Sequence, residues 1–203
     1  MRNVTGLYDN YDDARAAVKA LEDAGIASDD ISIVTNKANG DTDVEGQGSY
    51  AAEGAGTGAG VGALAGGAGG LLTGLGLLAI PGVGPVVAAG WLAATAVGAA
   101  AGAVAGGAVG GIVGAMVSAG VPEEDAQFYA ESIRRGGSVV TAKVDETRAA
   151  TAQAILNRSG PVDVAARRAS YAEQGWTGFD ETAEPYSAEQ IAAERTRHRS
   201  NRL

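Results

Sequence analysis

Two kinds of hydrophobic pattern alternate along the chain. Near the N-terminus, Val4 to Tyr8 is a short apolar run of strand length, and Asp30 to Thr35, with Ile31, Ile33 and Val34, is a second. Between them the apolar positions change period. Tyr11, Ala14, Val18 and Leu21 recur at three- and four-residue spacing, which predicts a helix over Tyr11–Ala24 with these residues facing inward. Asn10 stands where its side chain can cap that helix, Asp12 and Asp13 fall in the electropositive first turn, and Gly25 stands where a C-terminal glycine cap belongs. After a long interruption the same order returns. Ser138 to Val144 predicts a strand, Asp145 a cap, Glu146–Arg158 a helix and Gly160 its end, with Pro161 to Ala165 as a last short strand.

The two stretches share a local match, Asp13-Ala14-Arg15-Ala16-Ala17 against Glu146-Thr147-Arg148-Ala149-Ala150. Two strand–helix–strand units predict an α+β fold, a ferredoxin-like split βαβ domain of four strands with helices on one face. Each unit alone offers too little core to be stable, so residues 1–45 and 122–165 are expected to fold together as the halves of one domain. The alternative is two unrelated βαβ fragments. A further helix, Pro122 to Arg135, leads into the second half, with Glu123, Glu124 and Asp125 at its positive end.

The interruption carries the strongest periodic signal. After a short linker, 46–53, the stretch from Gly54 to Pro122 contains no ionisable side chain. Gly54, Gly58, Gly62, Gly66, Gly70 and Gly74 recur every four residues, and Gly98, Gly102, Gly106, Gly110 and Gly114 resume the register, which Ser118 extends with another small residue. A flexible linker has no reason to keep a period of four. On a helix that period draws a nearly straight groove in which another helix can approach to backbone contact. Six interior glycines cost roughly 6 kcal/mol of helix propensity, so close packing or a bilayer must offset them. With Ile80-Pro81-Gly82-Val83-Gly84-Pro85 as the break, residues 54–121 are expected to form a glycine-zipper helical hairpin.

The first arm, Gly54–Ile80, would be roughly 40 Å long against about 30 Å of hydrocarbon, and Tyr50 and Trp91 would lie near the interfaces. Eight strongly apolar residues between Val61 and Ile80 favour insertion by roughly 2 to 5 kcal/mol, which the glycines dilute. A transmembrane hairpin is the leading expectation, with a soluble hairpin buried as the core of an oligomer as the alternative. In the first case the protein sits in a bacterial inner membrane with its αβ domain in the cytosol. In the second it is cytoplasmic. Either way the chain is expected to associate with itself.

Composition narrows the chemistry. The net charge of −9 is carried as −7 in residues 1–53 and −2 in residues 123–203, too acidic and too little clustered in Lys and Arg for a nucleic-acid binder. No cysteine is present, which removes disulfides and thiolate chemistry. His198 is the single histidine and lies in a polar tail, so neither a histidine zinc site nor a Ser-His-Asp arrangement is expected. Asp29, Asp30, Asp41, Asp43 and Glu45 lack the twelve-residue calcium-loop pattern, and Gly56-Thr57-Gly58 lacks the lysine and hydroxyl pair of a phosphate loop. No catalytic, metal or cofactor residues are assigned, and the chain reads as a non-enzyme. No secretory order of basic, apolar and small residues follows Met1.

After Ala166 the chain turns polar, and residues 166–203 are expected to be a mostly disordered tail. Trp176, Phe179 and Tyr186 mark within it a short segment able to dock another protein. Ser187-Ala188-Glu189-Gln190 is a capping box that predicts a helix over 187–199, ending in a basic cluster of Arg195, Arg197, Arg199 and Arg202 that is expected to be solvated or to touch lipid headgroups.

The order of parts resembles the bacterial heat-induced general stress protein family. Val4-Thr5-Gly6-Leu7-Tyr8-Asp9, then Ala14 to Leu21 and Ile31-Ser32-Ile33-Val34-Thr35, carry the likeness, followed by the apolar stretch around Ile80 to Pro85. Gly178-Phe179-Asp180 and Tyr186 to Ile191 are similar to a segment of related bacterial stress proteins. The resemblance implies a role in the stress response and brings no catalytic residues. A small-ligand sensor, with the αβ domain binding a metabolite and the hairpin reporting it, is the last alternative.

Overall fold

The computed structural model describes residues 1–37, 76–95 and 111–200. Among them five strands form one sheet: β1 (Arg2–Tyr8), β2 (Ile31–Asn36), β3 (Gly76–Ile80), β4 (Gly84–Gly90) and β5 (Ser138–Val144). The strand order is β1-β5-β2-β4-β3, with every neighbouring pair antiparallel. The helices are α1 (Tyr11–Asp23), α2 (Gly111–Ser118), α3 (Glu123–Arg134), α4 (Glu146–Arg158), α5 (Val164–Glu173) and α6 (Ala188–Ser200). The architecture is mixed α/β.

Local signals account for most of these boundaries. Asn10 Oδ1 accepts from the Asp13 amide at 2.8 Å and starts α1, whose buried face is Ala14, Ala17, Val18 and Leu21, with Tyr11 half-buried beside it. Asp145 occupies the N-cap of α4 without a side-chain hydrogen bond. The two halves also meet end to end: Arg148 on α4 donates to Ala24 O at 2.8 Å and Gly25 O at 3.2 Å, covering the open carbonyls at the end of α1.

β5 lies between β1 and β2, so the strand from the second half joins two strands of the first. Its residues alternate between two buried faces. Val140, Ala142 and Val144 pack with Val4, Tyr8, Ile31 and Ile33 under α1 and α4. Val139 packs on the other face with Leu7, Val34, Val86 and Ala88, beneath α2, α3 and α5. The expectation of helices on one face only is therefore corrected: helices cover both. That is why β2 is buried at every position, Ser32 and Thr35 included. The polar side chains inside the sheet are satisfied, Thr5 against Thr141 at 3.0 Å, Thr35 against Ser138 at 2.6 Å, and Ser32 donating to Ala89 O at 2.7 Å.

Two further expectations change. Pro161 to Ala165 is not a strand, because Asp163 caps α5, accepting from the Ala166 amide at 2.9 Å. All that remains of edge pairing there is the Val162 amide bonded to Leu7 O at 2.7 Å. The second correction concerns the hairpin. Residues 76–80 and 84–90, expected at the facing ends of two long helices, are strands that pair with each other and, through β4, with β2. Pro81-Gly82-Val83 turns the chain, the Val83 amide bonds to Ile80 O at 3.1 Å, and Gly82 adopts a φ of 71°. β-branched Val86 and Val87 fit a strand buried on two sides better than an exposed helix end. The turn of the hairpin thus belongs to the αβ domain itself. Trp91 follows it in a helical stretch, 91–95, and instead of meeting an interface it lies beneath Lys143, whose Nζ is 3.7 Å from the ring centroid. Among the described residues no helix is long and apolar enough to cross a membrane. The arms 54–75 and 96–110 lie outside the described residues.

A Cβ at Gly82 would come within 2.6 Å of Asp180 O and 2.7 Å of Glu181 Cα, which are backbone atoms that cannot swing away. Gly82→Ala is therefore expected to destabilise the fold by about 1–3 kcal/mol, read as a lower midpoint in urea unfolding. An unchanged midpoint would contradict the β-turn.

Candidate functional site

Much of the polar tail folds as helices α5 and α6, and with α3 it builds a cluster of charged and aromatic side chains. α5 contributes Arg167 and Tyr171. Arg167 donates to Asp9 at 2.7 Å and Arg168 to Asp125 at 2.7 Å, which tie α5 to the end of β1 and the start of α3. Tyr171, Phe128 and Trp176 then pack at ring-centroid separations of 5.7 to 6.3 Å, and Phe179 joins the same core. Trp176 and Phe179, expected to dock another protein, pack in this structure against the chain's own domain. The Gly178–Pro185 loop beyond them is braced by Asp180, which accepts from the Thr182 amide and hydroxyl at 2.8 and 2.7 Å, and it lies against the β3–β4 turn.

α6 closes the cluster. Its capping box forms as its residues require, the Gln190 side chain accepting from the Ser187 amide at 2.8 Å and Ser187 Oγ from the Gln190 amide at 3.3 Å. The helix presents Ile191, Glu194 and His198 inward, one turn and two turns apart, and leaves most of its other side chains in solvent. Ile191 is 1% exposed and sits on Gly136, where an added Cβ would lie 3.4 Å from Ile191 Cβ and closer still to its γ-methyl. Gly136 has a φ of 94°, so glycine serves both the helix exit and the hole that receives the isoleucine. Burying that one side chain contributes about 2 kcal/mol.

The remaining grip is ionic. Glu131 on α3 is 1% exposed and accepts from Arg135 Nε at 2.6 Å, with Arg134 Nε at 3.0 Å. Arg135 lies 4.1 Å over the Tyr171 ring, donates to Gln174 at 2.6 Å and reaches Glu194 at 3.6 Å. Glu194 in turn stands 3.1 Å from His198 Nε2 and beside Arg197. A buried carboxylate is costly unless it is paired, and here two carboxylates share one guanidinium held flat by an aromatic ring. Burial acts to raise the Glu194 carboxyl, but the hydrogen bond with His198 and the charges of Arg135 and Arg197 outweigh it and hold the group below its usual range. Burial pushes the Tyr171 phenol up, so that ring faces Arg135 as a neutral partner.

Residues 3–80 match the family model described as the heat-induced stress protein YflT domain. Over these residues the chain is similar to that stress-protein domain. The YflT match runs from β1 through α1 and β2 to the last residue of β3, and so stops short of β4, β5 and the polar clasp formed by Glu131, Arg135 and Glu194. Its first two strands do not touch each other; both hydrogen-bond to β5, which lies outside the match. No curated protein and no solved structure matches the chain.

Of the eleven glycines assigned to helix packing, Gly114 alone lies among the described residues, half-buried on α2, which packs on α3. Gly54, Gly58, Gly62, Gly66, Gly70, Gly74, Gly98, Gly102, Gly106 and Gly110 lie outside them, as do Asp41, Asp43 and Glu45. Asp29 and Asp30 sit in a single 3-10 turn before β2. His198, expected in a solvated tail, is 8% exposed. The clasp residues Glu131, Arg135 and Glu194 were not singled out by sequence. Their signal was present as Glu131/Arg135 at i,i+4 and as Ile191, Glu194 and His198 at helical spacing, but charged residues at such spacing ordinarily read as a solvated face.

Arg135→Met leaves Glu194 without its buried cationic partner across the helices and should cost about 3 kcal/mol in urea unfolding, well beyond the loss of an exposed pair. The pH dependence has a definite sign. Because the folded-state Glu194 carboxyl titrates below its ordinary 4.5, its contribution is complete above that pH and is lost as the pH falls through the lowered value. In methyl NMR, the Ile191 resonance should move toward its solvent-exposed position over that acid range, and Glu194→Gln should remove the transition.

Proposed function

We propose that this chain is a non-enzymatic protein of the bacterial general stress response that acts as a soluble, self-assembling binding module in the cytoplasm. Its core reads as a ferredoxin-like split βαβ unit. The order β1-β5-β2 supports this, and Val162, bonded to Leu7, marks the place a fourth strand would take. The stress-response role rests on the YflT match. The observation that favours the soluble reading over a membrane anchor is the β3–β4 turn: it pairs into the same sheet as β2, so the tip of the expected hairpin is held by the domain and not on the far side of a bilayer. The period-four glycines of residues 54–74 and 98–110 supply the argument for self-association, since a groove of glycine is useful only against another surface.

Fractionation of cells expressing the intact chain, with an alkaline carbonate wash of the membrane pellet, tests the reading. Recovery without detergent, as a defined oligomer by light scattering, is the expected result. Gly62→Leu or Gly106→Leu should reduce the oligomer. Retention in the washed pellet until detergent is added would overturn the soluble reading, and oligomers indifferent to both substitutions would remove the glycine register as their cause.

A further inference from the structure

The surface beneath α6 has the character of a receptor. Its shape is set by a hole at Gly136, which a Cβ would fill, and its chemistry by the Arg135 guanidinium, lying on Tyr171 and oriented by Glu131 and Gln174. These groups come from α3, α5 and the turns that follow them, and they form a site that asks for an apolar side chain and, one helical turn on, an acid. α6 answers with Ile191 and Glu194, and with His198 against Glu194 and 6.0 Å from Tyr171 between ring centroids. Yet α6 holds on by that face alone. Ile191 is its single large buried apolar side chain, Glu194 and His198 add ionic and ring contacts, and neighbouring Ala192, Ala193, Thr196 and Arg197 are exposed. The segment before it, from Glu181 to Ser187, is largely exposed. A helix held by one apolar knob and a few polar contacts, on a segment whose own grips are Pro185 at Gly84 and Tyr186 under Arg134, exchanges more readily than α1 or α3, which are buried along whole faces.

We propose that the α3–α5 surface is a receptor for a polar helix bearing one isoleucine and, a turn on, a glutamate, filled in cis by α6 and open in trans to the α6 of a second copy. A second copy carries the same helix, with the same isoleucine and glutamate at the same spacing, so it is a ligand of matched shape and charge. Reciprocal exchange between two copies is isologous and closes at a dimer. This deepens the self-association in the proposed function by naming a contact outside the glycine arms, and it stands or falls separately from them.

Two measurements decide it. In the first, a fluorescent peptide spanning residues 184–200 is titrated with the full chain by anisotropy. Ile191→Asp and Glu194→Arg chains, whose own helix no longer fits, should bind it at least tenfold more tightly than the wild-type chain, and added salt should weaken the binding. A peptide carrying Ile191→Asp should not bind. Because binding is read on one chain, glycine-driven oligomers do not confuse it. In the second, a Gly136→Val chain, with its hole blocked and its helix intact, is mixed with the Ile191→Asp chain, with its helix disabled and its hole intact. Sedimentation should show a 1:1 complex that neither forms alone. Released chains that bind the peptide no better than wild type, equal binding of the Asp-bearing peptide, or a mixture that sediments as the sum of its parts would each overturn the proposal.

Discussion

The two hydrogen-bonded ladders of β5 are the constraint on which the rest of this structure depends. β1 and β2 are adjacent in the chain but not in the sheet; β5 fills the gap between them with seven residues registered against β1 and five against β2. Until residues from beyond position 137 arrive, the N-terminal half has two strands without a shared partner and an α1 with half a floor. This is a costly closure, since the loop it spans exceeds one hundred residues, but the entropy of closing a loop grows only slowly with its length. It also explains how the chain tolerates so long an insertion in the middle of a small domain.

From β5 outward, each layer follows from the burial of the one before. A strand buried on both sides requires cover on both faces, and the second face is roofed by helices and tail segments that a hydrophobic pattern reads as peripheral. α5 contributes Tyr171, the loop contributes Trp176 and Phe179, and α6 lies against the edge of this roof. The polar clasp at that edge is a different kind of bond from the core. It adds little net stability for the charges it buries, because desolvation offsets much of the attraction, but it is selective in register and in partner. The core decides that the domain folds; the clasp decides which helix sits at its end.

Glycine has a clear structural use here. Two glycines of the described residues sit where the C-terminal segment comes close, Gly82 against the Asp180–Glu181 backbone and Gly136 under Ile191. Both contacts involve the C-terminal segment, so its Asp180–Glu181 and Ile191 are fitted to glycines far from them in sequence. The period-four glycines of residues 54–74 and 98–110 lie outside the described residues, and the packing role their spacing suggests belongs to the proposed self-association.

The sequence by itself determined the elements whose signals are local. Asn10, Gly25 and Ser187-Ala188-Glu189-Gln190 mark helix ends by hydrogen bonds made within a few residues, and β5 is bounded by the run from Ser138 to Val144, so these were legible without a fold. The likeness to heat-induced stress proteins lay in the same early segment. What only the tertiary structure decided depends on neighbours distant in sequence. Leu77 to Ile80 and Val86 to Ala89 are apolar runs that suit a buried helix end or a buried strand equally, and the pairing of β4 with β2 settles them as strands. Asp163 turned a possible edge strand into a helix start. Glu131, Arg135, Glu194 and His198 read as surface charges along the chain because hydrophobicity reports what a residue prefers in isolation. Glu131 pairs with Arg135, and Glu194 with His198, each within one helix and its cap, but their burial depends on Arg135 reaching Glu194 across the elements while lying on Tyr171, and no periodicity within one segment records that contact.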